Sequence, residues 1–159
     1  MSKRESRRRQ TAAAVMKEAH RLYKRGAMFL YSFSTCLKLA WRSIRGLCKF
    51  KHTRAKGVNF NNNDGISRQA ILHALTKYSK GQISLYLEVE PDNPYDPSAV
   101  KVMAMVRNKG IAQVGYLAKE IAADVSLNLK EGKEVIAIFE TITGGASFNY
   151  GLNFSYATV

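Results

Sequence analysis

Apolar and polar positions change rhythm twice along this chain. From Thr11 to about residue 25, Ala12, Val15, Ala19, Leu22 and Tyr23 recur at three- and four-residue spacings among basic residues, which predicts a helix ended by Gly26. A second helical run follows, with Phe33, Leu37, Ala40, Trp41, Ile44 and Cys48 on one face and Lys38, Arg42, Arg45 and Lys49 off it. Together they read as a basic helical hairpin with an apolar seam that holds the only Trp. After Lys56 the period shortens. GVNF (57–60) is a strand candidate stopped by the turn signal NNNDG (61–65). Ser67 can cap a helix that runs through Gln69, Ile71, Leu72 and Leu75 to about Tyr78. ISLYLEVE (83–90), AVKVMAMV (99–106), IAQVGYL (111–117), EVIAIFETIT (134–143) and FNYGLNFSYATV (148–159) read as strands, and KEIAADVSLNLK (119–130) as a helix. Gly144, Gly145 and Gly151 read as turn and bulge glycines. Six strands and two helices after a helical hairpin make the chain mainly β with α, an α+β protein, with the strands forming a small barrel or a curled antiparallel sheet.

Charge divides the chain at the same place. Of the 25 Lys and Arg and 12 Asp and Glu in 159 residues, 16 basic and two acidic residues fall in 1–56, a net of +14. The remaining nine basic and ten acidic residues give −1 for 57–159. The expected organisation is a basic arm and helical extension over 1–53 and a near-neutral domain over 54–159, with residues 1–10 disordered. Such an arm attracts polyanions, either nucleic acid or an anionic membrane surface. The stretch GAMFLYSFSTCLKLAW (26–41) is interrupted by Lys38 and too short to span a bilayer, so no transmembrane segment is expected. Nor does it resemble a signal peptide, and a cytoplasmic location follows, nucleoid-associated if the source is bacterial. Cys36 and Cys48 lack metal-site spacing and are expected as reduced thiols; no metal or other cofactor is implied.

All three prolines lie in PDNPYDPSAV (91–100), between two strands. Proline fixes its own backbone and restricts the residue before it, so the loop around Tyr95 and Asp96 is stiff. A stiff loop presents an aromatic face beside a carboxylate at low ordering cost. An aromatic face stacks on any base. A carboxylate repels phosphate but accepts a hydrogen bond from a free hydroxyl, which suits the end of a strand. Equally, Tyr95 could cap the domain and Asp96 could bond backbone amides in an Asx turn.

The segment LEVEPDNPYDPSAVKVMA, followed by QVGYLAKEIA, resembles the HIRAN domain, as do the NF–turn–SRQ run (59–69) and TGGASFNYGLNFS. The resemblance spans about residues 54–159. It implies a small OB-like six-stranded β-barrel and a non-catalytic module binding single-stranded DNA. The 3′ end is a possible target, in DNA repair or replication-fork processing. It also implies a helicase or nuclease as a possible partner protein and no small-molecule substrate. No GxxxxGK[ST] motor motif occurs in the chain. By resemblance, Tyr95 and Asp96 stand at the positions for base stacking and 3′-hydroxyl contact, Phe60 at that of a second stacking aromatic, and Lys119 at a phosphate contact. Asn59 stands where eukaryotic members carry arginine and Tyr116 where they carry histidine. Arg68 faces phosphate or pairs with Asp64. Two other functions compete: a nuclease using Asp64, Glu90 and Asp96 with a metal, and a protein-interaction or membrane-surface adaptor acting through the basic hairpin.

Overall fold

The computed structural model describes residues 1–25 and 31–159. The helix end expected at Gly26, and part of the 26–41 stretch, lie outside them. Four α-helices surround a six-stranded antiparallel sheet: α1 (Lys3–Lys24), α2 (Phe33–Ile44), β1 (Lys51–Arg54), α3 (Arg68–Leu75), β2 (Ile83–Val89), β3 (Val100–Val106), β4 (Gly110–Tyr116), α4 (Lys119–Lys130), β5 (Val135–Gly145) and β6 (Phe148–Thr158), in the order β1-β6-β5-β2-β3-β4. The α+β class holds. Of the two arrangements read from the strands, the structure has an antiparallel sheet that is not closed, and the barrel implied by the resemblance is not formed. β1 pairs only with β6, and beyond its end one bridge, Lys56 with Tyr116, reaches across to β4.

Each face of the sheet has its own cover. Leu85, Val100, Val102, Val114, Phe139, Leu152 and Phe154 face an inner core, into which α3 and α4 insert Leu72, Leu75, Ala122 and Val125. On the outer face Ile136, Ile138 and Ala157 lie under Val15, Ala19 and Leu22 of α1 and Cys36, Leu39 and Ala40 of α2. This double cover explains why the start of β5, VIAIF, is buried at every position while β3 alternates. Tyr31 fastens the hairpin to the sheet, its hydroxyl donating to Leu85 O at 3.2 Å. Burial in that contact pushes the Tyr31 phenol up to about 12.

Five local expectations are corrected. Residues 1–10 are not disordered: Ser2 and Glu5 form a capping box that starts α1 at Lys3. GVNF is not a strand. Gly57 sits at φ +66° and opens a turn, so Phe60 lies in that turn, and the first strand is the polar KHTR segment, which needs only the free edge of β6. The seam of α2 is Thr35, Cys36, Leu39 and Ala40, one step round from the predicted stripe, which leaves Trp41 38% exposed beneath Arg45, whose guanidinium carbon is 4.4 Å from the ring centroid. The helix ends before Gly46, φ +72°, so Cys48 lies beyond it and donates to Thr158 O at 3.3 Å. Both cysteines are free thiols, and Cys36 is buried. α3 stops at Leu75 rather than Tyr78.

Candidate functional site

Lys56 and Tyr116, joined by their bridge, both line an open cleft of about 1110 Å³. The 57–68 turn, the proline loop and the start of α4 all contribute to its lining. Six of the seven residues singled out in the sequence line it: Phe60, Arg68, Tyr95, Asp96, Tyr116 and Lys119. Asn59 does not; it lies just outside, with its Oδ1 accepting from Gln69 at 3.4 Å.

The proline loop is built by Asx chemistry. Asn93 Oδ1 accepts from the Tyr95 and Asp96 amides at 2.9 and 3.0 Å, and Asp96 Oδ1 accepts from the Ser98 amide at 2.9 Å. The turn role of Asp96 is therefore real, and it uses one carboxylate oxygen. The other has no hydrogen-bond partner among the described residues. Tyr95 caps nothing: it is 93% exposed. Phe60, at 69% exposed, is likewise not a core residue. Two exposed aromatics thus line one cleft.

Between them runs a polar frame. Arg68 is only 5% exposed; its Nε donates to Asn62 Oδ1 at 2.7 Å and its Nη1 to Gly57 O at 2.8 Å. It does not pair with Asp64, whose Oδ1 caps its own turn by accepting from Ile66 N. The Arg68 guanidinium carbon lies 5.0 Å from the centroid of Tyr116, a cation–π contact. Tyr116 in turn donates its hydroxyl to Glu90 Oε2 at 2.8 Å, which also accepts from Asn93 Nδ2 at 2.8 Å, and Lys101 Nζ stands 3.4 Å from Glu90 Oε1. One chain of contacts, Arg68–Tyr116–Glu90–Asn93, thereby fixes the turn of Phe60 relative to the loop of Tyr95. Gln69 ties that turn to β6, exchanging hydrogen bonds with Tyr150 O at 2.9 Å and Tyr150 N at 2.7 Å. Lys56, Asn93 and Lys101 are not among the residues that the sequence points to, and Glu90 is named there only as a metal-binding carboxylate. For Lys101 the signal was present, since it is an outward position of alternating β3.

Burial pulls the Glu90 carboxyl upward, but the hydrogen bonds from Asn93 and Tyr116 and the Lys101 charge outweigh it and hold the group below its ordinary value of 4.5. A depressed folded-state pKa contributes stability that is complete above the unfolded value and lost as the pH falls through the folded one. Glu90→Gln is therefore expected to flatten the decline in melting temperature as the pH is lowered from about 5 to about 3. Thermal melts across that range check it; parallel curves for both proteins would show that Glu90 carries none of the acid sensitivity.

Asp64, Glu90 and Asp96 do not assemble into a metal site: among the described residues no three His, Cys, Asp or Glu side chains are grouped to hold an ion. Among those residues, too, no helix is long and apolar enough to cross a membrane.

Comparison with known proteins adds the following. The family model described as the HIRAN domain matches residues 54–155. A solved structure of a protein from Lactobacillus plantarum is 17% identical, with 70% of this chain and 96% of that chain covered and a TM-score of 0.49. No curated protein matches.

Proposed function

We propose, since the chain belongs to the HIRAN domain family, that it is a non-catalytic nucleic-acid-binding module whose cleft receives the end of a single strand of DNA. The carrying observation is that two exposed aromatics, Tyr95 and Phe60, line one cleft together with Lys56, Arg68, Lys101 and Lys119. Terminal bases stack on the two rings, whatever their identity. The unpartnered oxygen of Asp96 accepts a hydrogen bond from a terminal hydroxyl; that this is the 3′ hydroxyl rests on the family resemblance at this position. Lys56 and Lys119 meet the phosphates that follow. Arg68 and Tyr116 link the 57–68 turn to the proline loop, roles that differ from direct phosphate and base contact. In the cell this activity fits repair or fork processing, beside a helicase or nuclease that supplies the chemistry.

The test is a salt titration of binding to a single-stranded oligonucleotide. Each phosphate contact on a single strand contributes roughly 0.7 to the slope of log K against log salt, so Lys56→Gln and Lys119→Gln should each flatten it by about that amount. Unchanged slopes in both variants would place the strand elsewhere.

A further inference from the structure

The cleft by itself has no surplus of positive charge. Lys56, Arg68, Lys101 and Lys119 are balanced by Glu88, Glu90, Asp92 and Asp96. The surplus of positive charge lies in residues 1–56, a net of +14, and the structure places much of that charge in one unusual setting. In α1 the positions 4, 8, 11, 15, 19 and 22 share a helix face by their four- and three-residue steps. Val15, Ala19 and Leu22 on that face are buried against α2 and the sheet. Toward the N-terminus the same face continues as Thr11, Arg8 and Arg4 with no core against it. From Lys3 to Ala14 every residue is exposed except the half-exposed Ser6 and Thr11. That half of the helix, about 18 Å long at 1.5 Å per residue, carries Lys3, Arg4, Arg7, Arg8 and Arg9 against Glu5 alone. Among these residues Glu5 is engaged in the capping box and pairs with none of the arginines.

We propose that this overhanging half of α1 docks on a nucleic-acid duplex, so that the protein's target is a duplex with a single-stranded tail whose end enters the cleft. The proposal rests on the cleft reading for the tail and on α1 for the duplex. Its chemistry selects among polyanions. Residues 3–14 contain no aromatic side chain, so they offer no stacking platform for unpaired bases. They contain no apolar side chain larger than alanine, so nothing inserts into a bilayer. A bare helix about 10–12 Å across, cationic and open on all sides, matches the roughly 12 Å width of a DNA major groove. β1 leads from the end of the hairpin to the cleft. It starts next to the hairpin at Lys51, and the chain reaches the cleft at Lys56, about 17 Å on at 3.3 Å per residue. Arg54 and Lys56, two residues apart, face outward on the same side. The Arg54 guanidinium lies across Gly151, where any Cβ would overlap it, and no carboxylate pairs with it among the described residues. Two residues before Arg54, His52 Nδ1 lies 2.7 Å from Glu140 Oε2.

The experiment compares three DNAs: a duplex with a 3′ single-stranded tail, the tail strand alone and the blunt duplex. The proteins are wild type, a variant with Arg4, Arg7, Arg8 and Arg9 all changed to Gln, and Tyr95→Ala. Glutamine keeps helix propensity and leaves the capping box in place, which far-UV circular dichroism verifies. Wild type should bind the tailed duplex about tenfold or more tighter than the tail alone. The quadruple variant should lose that advantage, and its salt slope on tailed duplex should fall by roughly 3–4, at about 0.9 per duplex phosphate contact. Its affinity for the tail alone should stay within about twofold of wild type. Equal wild-type affinity for tail and tailed duplex overturns the proposal, as does an equal loss on both in the variant. So does arginine-dependent binding to phosphatidylserine vesicles without a preference for duplex. If Tyr95→Ala leaves tail binding unchanged while the quadruple variant loses the blunt duplex, duplex docking stands and the cleft reading falls.

Discussion

Arg68→Met is expected to destabilise the protein by about 2–4 kcal/mol, since a buried oxygen left without its donor costs about 1–3 kcal/mol. The substitution removes the donors to Asn62 Oδ1 and Gly57 O together and the cation beneath Tyr116. For a chain of this size the melting temperature should drop by roughly 4–16 °C. Arg68→Lys should recover little of it, because a single ammonium cannot supply both fork contacts and lie flat under a ring. Strand binding should weaken in both variants, because the turn that carries Phe60 loses its anchor. A melting temperature within a degree or so of wild type for Arg68→Met would show that the turn is held by Gln69 and Ser67 alone.

Tyr95→Ala should do the opposite, leaving stability intact while removing affinity. Its ring is almost wholly exposed and the backbone of the loop is held by Asn93 and Asp96 rather than by the tyrosine side chain. Losing one stacked base costs about 1–3 kcal/mol, roughly a 5- to 150-fold weaker dissociation constant for a single strand, with little dependence on base. Tyr95→Trp should bind at least as well as wild type. Fluorescence anisotropy with poly-dT and poly-dA oligonucleotides and a thermal melt of each variant check both halves. An affinity unchanged in Tyr95→Ala would remove the ring from the interface.

The parts of the fold legible in the sequence were those whose determinants are local. α4 runs over Lys119–Lys130, where Ile121, Val125 and Leu129 recur every four residues. The strands from β2 to β6 fall within a residue or two of their alternating or apolar runs. β1 was hidden because KHTR has no apolar alternation; it is a strand only because β6 offers an edge, with Lys51 opposite Tyr156 and Arg54 opposite Asn153. The start of α1 was open to reading, since Ser2 and Glu5 spell the S-x-x-E capping signature, but the run of arginines argued for disorder. In the site, the stiff loop was visible through its prolines and Asx residues, and so was the pairing of an aromatic with a carboxylate. The frame was not. Arg68 meets Tyr116 and Tyr116 meets Glu90 across 48 and 26 residues of chain, and an arginine after a turn gives no sign that it will be buried under a tyrosine.

The most direct measurement is the affinity of the wild-type protein for one single-stranded DNA bearing either a 3′-hydroxyl or a 3′-phosphate, repeated with Asp96→Asn. The free Asp96 oxygen accepts from a hydroxyl and repels a phosphate, so the wild type should favour the hydroxyl end severalfold. The asparagine variant keeps the shape and the Ser98 bond but not the charge, and its ratio should move toward one. Equal wild-type affinity for the two ends, or no binding of single strands at all, would contradict the account and leave Asp96 as a turn residue.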